Sequence, residues 1–143
     1  VWVEDNGAGL TRDEVRRYLA TIGAGYTRLL RQSNGDAGLI GAFGLGFLSA
    51  YMIAKRVQVV STSANDENTG VRFVSENGRS YFLETVAPRP IGTRVEIDLN
   101  DENADLADFW RVARVLRRHC SLLSHPIVLA WSQERINAQP PPW

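Results

Sequence analysis

The order and periodicity of the segments predict an α+β fold, a two-layer sandwich built from a mostly antiparallel mixed sheet with helices on one face. Three observations carry that expectation. Segments 71–75 and 80–85 alternate around Asn77-Gly78, where both central residues tolerate positive φ, so they predict a hairpin. Segments 11–22 and 106–123 instead repeat their apolar residues at helical spacing. Most of the strand candidates then follow one another directly, which favours antiparallel pairing with the helices gathered on one side.

Residues 1–4 read as a short strand, and the next recognisable feature is a helix start. In Thr11-Arg12-Asp13-Glu14, Thr11 fits the N-cap and Glu14 the N3 position of a capping box, with Val15, Leu19 and Ile22 on the buried face. Gly23 and Gly25 end that helix. The stretch to Gly38 is polar and punctuated by glycine, and is the natural lid candidate. A second helix is expected over 43–54, then strands over 57–61, 71–75, 80–85 and 93–99. Leu106, Phe109, Trp110, Ala113, Leu116, Cys120 and Leu123 form the apolar face of a last helix, and 127–131 a closing strand. There is no internal repeat, and Pro140-Pro141-Pro142 looks like a boundary.

Composition narrows the class without choosing a function. With 143 residues, 44% of them hydrophobic and 22% charged, the chain is long enough to bury a core of its own. A formal net charge of +0 gives no global reason to expect nucleic acid or an anionic membrane as a partner. Arg111, Arg114, Arg117 and Arg118 fall opposite the apolar face of the last helix, as a solvated surface would, without aromatics interleaved for nucleic-acid stacking. Cys120 is the only cysteine, so no internal disulfide forms. His119 and His125 lack partners at metal spacing, and no metal site is expected from protein groups. No apolar run is long enough to span a bilayer, and no signal-peptide pattern is present; a cytoplasmic protein is expected.

Chemistry concentrates in two glycine clusters. Gly41-Ala42-Phe43-Gly44-Leu45-Gly46-Phe47 places glycines at G-x-x-G-x-G spacing at the start of a helix, where free backbone N–H groups and the positive dipole end favour an anion. Close packing of a helix start on the sheet would use glycine as well. The other cluster, Asp5-Asn6-Gly7-Ala8-Gly9, follows the first strand; Asp-Asn-Gly is also ordinary turn chemistry.

Together these clusters resemble the ATP-binding fold shared by gyrase B, the heat-shock protein 90 chaperones, sensor histidine kinases and MutL, here a truncated form of it. The wording Gly41 to Phe47, then Ser49-Ala50-Tyr51 and Ala54-Lys55-Arg56-Val57, is similar to the heat-shock protein 90 (HtpG) type chaperones. Thr21-Ile22-Gly23, Gly92-Thr93, His119-Cys120-Ser121 and Ile136-Asn137 follow in that family's order, so the likeness covers essentially the whole chain. It implies residues 1–134 as the larger, C-terminal part of an N-terminal ATP-binding domain, and 135–143 as the entry to a middle domain.

The resemblance also implies roles. Asp5 would read the adenine amino group, with Asn6, Gly7 and Gly9 beside the base and Leu10 as an apolar wall or, equally, a core plug. Thr93 is either a β-branched strand residue or a hydroxyl that supports the adenine pocket. Backbone N–H groups around Gly41, Phe43, Gly44, Leu45, Gly46 and Phe47 would hold the phosphates of ATP or ADP, with Mg²⁺ in the full-length protein. Ala24 stands where relatives tend to carry a lysine, which would weaken phosphate binding or pass the task to an arginine such as Arg28. The family's catalytic glutamate and Mg²⁺-ligand asparagine lie on a helix before the Asp-x-Gly-x-Gly loop, and this chain starts after it. An excised fragment without turnover, able to associate with itself, is therefore expected from a homodimeric parent that acts on client proteins. Two rivals stand beside this reading: another ATPase of the same superfamily, and a degenerate protein-interaction module without nucleotide binding.

One expected outcome separates an anion site from helix packing. Gly44→Val or Gly46→Val should weaken triphosphate binding by about tenfold to a hundredfold while leaving adenosine affinity nearly unchanged, because the added side chain blocks only the helix start. Calorimetric titration with both ligands checks this, and equal losses would assign the glycines to packing.

Overall fold

The computed structural model describes residues 1–20, 46–76 and 80–137. The lid candidate, Ala24, Arg28, Gly41, Phe43, Gly44, Leu45, the Asn77-Gly78 turn and Pro140 to Trp143 lie outside the described residues. The chain divides into two compact units, Val1–Asn103 and Ala104–Trp143.

The first unit is built on a five-stranded sheet. Its strands are β1 (Trp2–Asp5), β2 (Ala54–Ser63), β3 (Asp66–Glu76), β4 (Ser80–Val86) and β5 (Gly92–Leu99), in the spatial order β1-β5-β2-β3-β4. All four pairings are antiparallel. Helix α1 (Arg12–Tyr18) and helix α2 (Gly46–Ile53) contribute to the core on one face. The α+β architecture with an antiparallel sheet is thus the one expected.

The register explains where the core lies. Residues paired across antiparallel strands project from the same face, so Val3, Val95, Val59, Phe73 and Leu83 form one continuous row across all five strands. Val59 and Phe73 are buried, as are Val57 and Val71 in the neighbouring rows, and Val15 of α1 and Ala50 of α2 complete the cluster. Phe47 joins it edge-on to both Tyr51 and Phe73, with ring centroids 5.4 and 6.2 Å apart. At the β1 end this row opens to solvent, and Val3 is 63% exposed.

The opposite face is polar for the same alternation reason. Arg56 pairs with Asp98 and donates to Gln58, Gln58 donates to Glu96, and Arg94 bridges Glu96 and Glu4. Arg89 also pairs with Glu4, while Arg72 pairs with Glu84. Such half-exposed pairs contribute roughly 0–1 kcal/mol each, so they select the solvent face more than they stabilise it.

The capping box forms as read. Thr11 accepts from Glu14 N–H, and the Glu14 carboxylate accepts from Thr11 N–H at 2.8 Å. Helix α1 closes at Leu19 instead of running on to Ile22, whose neighbourhood lies outside the described residues.

A 3₁₀ turn, Asp101–Ala107, runs across the boundary between the units, and helix α3 (Phe109–Cys120) follows in the second. The single helix expected over this region is divided by Asp108, whose side chain caps α3 by accepting from Arg111 N–H at 2.7 Å. Trp110 is a correction to the apolar face drawn from spacing. It is 69% exposed, and it precedes Arg114 by one turn, so an aromatic does share the arginine side. Ala113 takes the buried position, packed with Leu129 and Ile136. The closing strand is only β6 (Val128–Leu129), paired with an unanticipated β7 (Glu134–Arg135). Asn137, fully buried, accepts from Ile127 N–H and donates to the Leu123 and His125 carbonyls, satisfying its amide completely.

Burial pushes the Tyr51 phenol up from its ordinary value, against a smaller opposing effect from its hydrogen bond with Ser75. A raised acid favours its protonated form in the fold, so stability is unaffected by this group below pH 10.0 and falls as pH rises beyond it. Tyr51→Phe should therefore gain on the wild type as pH increases from about 9 to about 11, in urea midpoints. A difference between the two proteins that does not change with pH would contradict it.

Candidate functional site

Besides buried Ser75, which lies in the row of Val57, one row on the helix-facing side of the sheet breaks the apolar pattern with several polar side chains together. Asp5 of β1 is paired with Thr93 of β5, and Thr93 with Ser61 of β2. Three polar side chains from three adjacent strands consequently project side by side, one row beyond Val3, Val95 and Val59. Asp5 and Thr93, two of the residues singled out in the sequence, are brought together by this register.

The Asp5 to Leu10 loop is held onto the sheet at several points. The Asp5 carboxylate accepts from Gly7 N–H at 2.9 Å, an Asx-type turn that orients the side chain. The Ala8 carbonyl accepts from Ala64 N–H at 2.8 Å, and Leu10 N–H donates to Ser61 Oγ at 2.8 Å. Ser61 Oγ also lies 3.0 Å from the Gly92 carbonyl and 2.9 Å from Thr93 Oγ1. Its hydroxyl therefore joins the loop, β2 and the beginning of β5.

This approach leaves no space for side chains on the facing backbone. Gly9 has φ +65°, and a Cβ there would overlap the Thr62 carbonyl. Gly92 has φ +138°, and its Cβ would overlap the carbonyl of Asp5. Both positions combine a left-handed backbone with contact too close for any other residue.

The remaining expected residues divide into two groups. Asn6 is exposed beside Asp5, and Leu10 is half-buried against the main core, so its plug role is real whether or not it also forms a wall. Gly46 is the first described residue of α2, and among the described residues a Cβ added there would meet nothing within 4 Å. The Phe47 side chain belongs to the core, so its backbone alone is left for the expected phosphate role. Gly41, Phe43, Gly44 and Leu45 lie outside the described residues, so the phosphate half of the expected site is represented here by Gly46 and Phe47 alone.

Ser61 was missed in the sequence. Its signal was present, because Val57, Val59 and Ser61 occupy the same face of β2 and the last of them replaces a core valine by a hydroxyl. Among the described residues no group of three or more His, Cys, Asp or Glu could hold a metal ion, and no helix is long and apolar enough to cross a membrane.

Residues 1–103 match the family described as "Histidine kinase-, DNA gyrase B-, and HSP90-like ATPase", the same span as the first compact unit. Proteins named "Chaperone protein HtpG" are similar over both units. The one from Shewanella amazonensis is 36% identical over 133 residues, 89% of this chain and 21% of that protein. The one from Shewanella denitrificans is 37% identical over the same coverage, and one from another Shewanella strain 34% identical over 139 residues, 93% of this chain and 22% of that protein. The chain thus spans about a fifth of the length of these relatives.

The close approach of β1 to β5 generates its own test. Gly92→Ala should destabilise the protein by on the order of 1 to 3 kcal/mol, since the Cβ must separate Asp5 from Thr93 or strain the backbone. Urea unfolding measures it, and an unchanged midpoint would show that the two strands do not meet as described.

Proposed function

The chain belongs to the histidine kinase-, DNA gyrase B- and HSP90-like ATPase family, and from that premise we propose that it binds the adenine nucleotide ATP or ADP, as part of an ATP-dependent chaperone of the HtpG type. The observation that carries the reading is the polar row at one end of the helix-facing side of the sheet, where Asp5 and Thr93 stand side by side. Among the described residues the Asp5 carboxylate accepts one hydrogen bond, from Gly7 N–H. An ionised carboxylate is acceptor-only, so its remaining capacity suits the exocyclic amino group of adenine. The Asx turn, and the glycines that let the loop approach the strands, hold that carboxylate in one orientation in advance.

The phosphate half of the reading rests on the start of α2. Gly46 and Phe47 stand at the N-terminal end of the described part of α2, and among the described residues nothing lies within 4 Å of a Cβ placed at Gly46, which is compatible with an anion against this end of the helix. Gly41, Phe43, Gly44 and Leu45 belong to the same reading through the glycine spacing. Mg²⁺ would arrive with the triphosphate and neutralise its charge. We assign binding and orientation to these residues, and no hydrolytic step.

The name carried by the similar proteins supports a chaperone role, and with it we propose nucleotide-dependent folding of client proteins by a cytoplasmic homodimer. The 34–37% identity, which continues beyond residue 103 into the second unit, favours this over another ATPase of the superfamily. The rival reading as an interaction module without nucleotide is distinguished by titration alone.

Calorimetric titration with ADP and Mg²⁺ tests the proposal, and Asp5→Asn locates it. The substitution replaces a charge-assisted bond and presents a donor to a donor, so affinity should fall about tenfold to a hundredfold. Saturable binding that is unchanged by Asp5→Asn would place the base elsewhere, and no binding by the wild type would favour the interaction module.

A further inference from the structure

Ser61 is 1% exposed, and no part of the binding assignment above uses it directly. Its hydroxyl has one proton and two lone pairs, and the structure surrounds it with three partners. Leu10 N–H can only donate and the Gly92 carbonyl can only accept. Ser61 therefore spends its single proton on Gly92 and accepts from Leu10. The third contact, 2.9 Å from Thr93 Oγ1, must then be filled by the Thr93 proton. These proton positions are assigned from the partners, and the assignment is the one that satisfies all three bonds.

The consequence lies one residue away. With its proton directed inward, Thr93 presents only lone pairs outward, next to Asp5, which also offers only lone pairs. The end of the row is then a pair of acceptors, matched to a purine with a donor at C6 and mismatched to one with a carbonyl oxygen there. We infer that Ser61 is a positioning residue that sets the direction of the Thr93 hydroxyl and thereby selects 6-amino over 6-oxo purine nucleotides. The inference rests on the placement of the base beside Asp5 and Thr93 proposed above.

A base that enters this row leaves the Ser61 contacts intact, since the hydroxyl is buried beneath Thr93 and Leu10. Removing the hydroxyl frees the Thr93 proton to turn outward, where it can donate to a C6 oxygen. Discrimination against a mismatched partner is set by the buried polar group left unpaired, so a change in hydroxyl direction should be visible in a ratio of affinities.

The test compares ATP with inosine triphosphate by calorimetric titration of the full chain. Ser61→Ala should lower the ATP-to-inosine-triphosphate affinity ratio about tenfold, the scale of one hydrogen bond changing sign. In a Thr93→Val background the same substitution should leave the ratio unchanged, because no hydroxyl remains to be turned. A purely structural role for Ser61 would weaken both nucleotides alike and would act equally in both backgrounds. If Ser61→Ala loses its cooperative thermal transition, Ser61→Cys, with a similar volume and a much weaker hydrogen-bonding group, carries the same comparison. A folded variant with an unchanged ratio, or an equal drop in the Thr93→Val background, overturns the inference alone. Wild-type chain that binds no ATP overturns the reading beneath it, and the inference with it.

Discussion

Backbone meets backbone where the Asp5 to Leu10 loop crosses the ends of β2 and β5, and the rest of the first unit is arranged around that contact. A Cβ at Gly9 would overlap the Thr62 carbonyl, and one at Gly92 would overlap the carbonyl of Asp5. With both side chains absent, the loop settles within hydrogen-bond distance of Ser61 and Ala64, and β1 enters the sheet with Asp5 level with Thr93. A slip of one residue would turn Asp5 to the charged face and Glu4 toward the core. The glycines and the Ser61 hydroxyl thus fix the register, and the register fixes the functional side chain.

The two faces of the sheet explain why the site lies at one end of it. Across the middle rows the helix-facing side is committed to Val59, Phe73 and Val57, and burial there leaves no room for a ligand; Val71, paired with Ser61, closes the inner end of the polar row. The opposite side is occupied by ion pairs among Arg56, Asp98, Arg94, Glu96, Glu4 and Arg89, which satisfy one another and face solvent. The row containing Asp5, Thr93 and Ser61 sets polar groups from three adjacent strands beside an apolar wall, at an end of the sheet where Asp5 is exposed. That combination orients a flat heterocycle by a few hydrogen bonds while its rings contact apolar side chains.

Much of this was legible from residue order, for identifiable reasons. The Thr11–Glu14 capping box is local chemistry and formed as read. The alternation in β3 and β4 predicted their pairing, although β3 extends back to Asp66 through polar residues whose strand state comes from pairing with β2, which no local pattern records. Helical spacing placed Trp110 on the buried face of α3, whereas Ala113 occupies the contact; periodicity gives an arc of candidates, and packing selects among them. Asp5 and Thr93 were named separately, 88 residues apart, and only the strand register made them neighbours. Ser61 escaped notice because a serine in a strand is unremarkable until its row is known.

The central claim is that a nucleotide base occupies the end of the sheet where Asp5, Thr93 and Leu10 converge. Backbone amide chemical shifts followed by nuclear magnetic resonance during titration with ADP and Mg²⁺ test it most directly, since they report where a ligand sits without altering the chain. The account predicts that Gly7, Leu10, Gly92 and Thr93 shift together with one common midpoint, ahead of residues on the charged face such as Arg56 and Arg72. Saturable binding that leaves those four amides in place and moves others would contradict it.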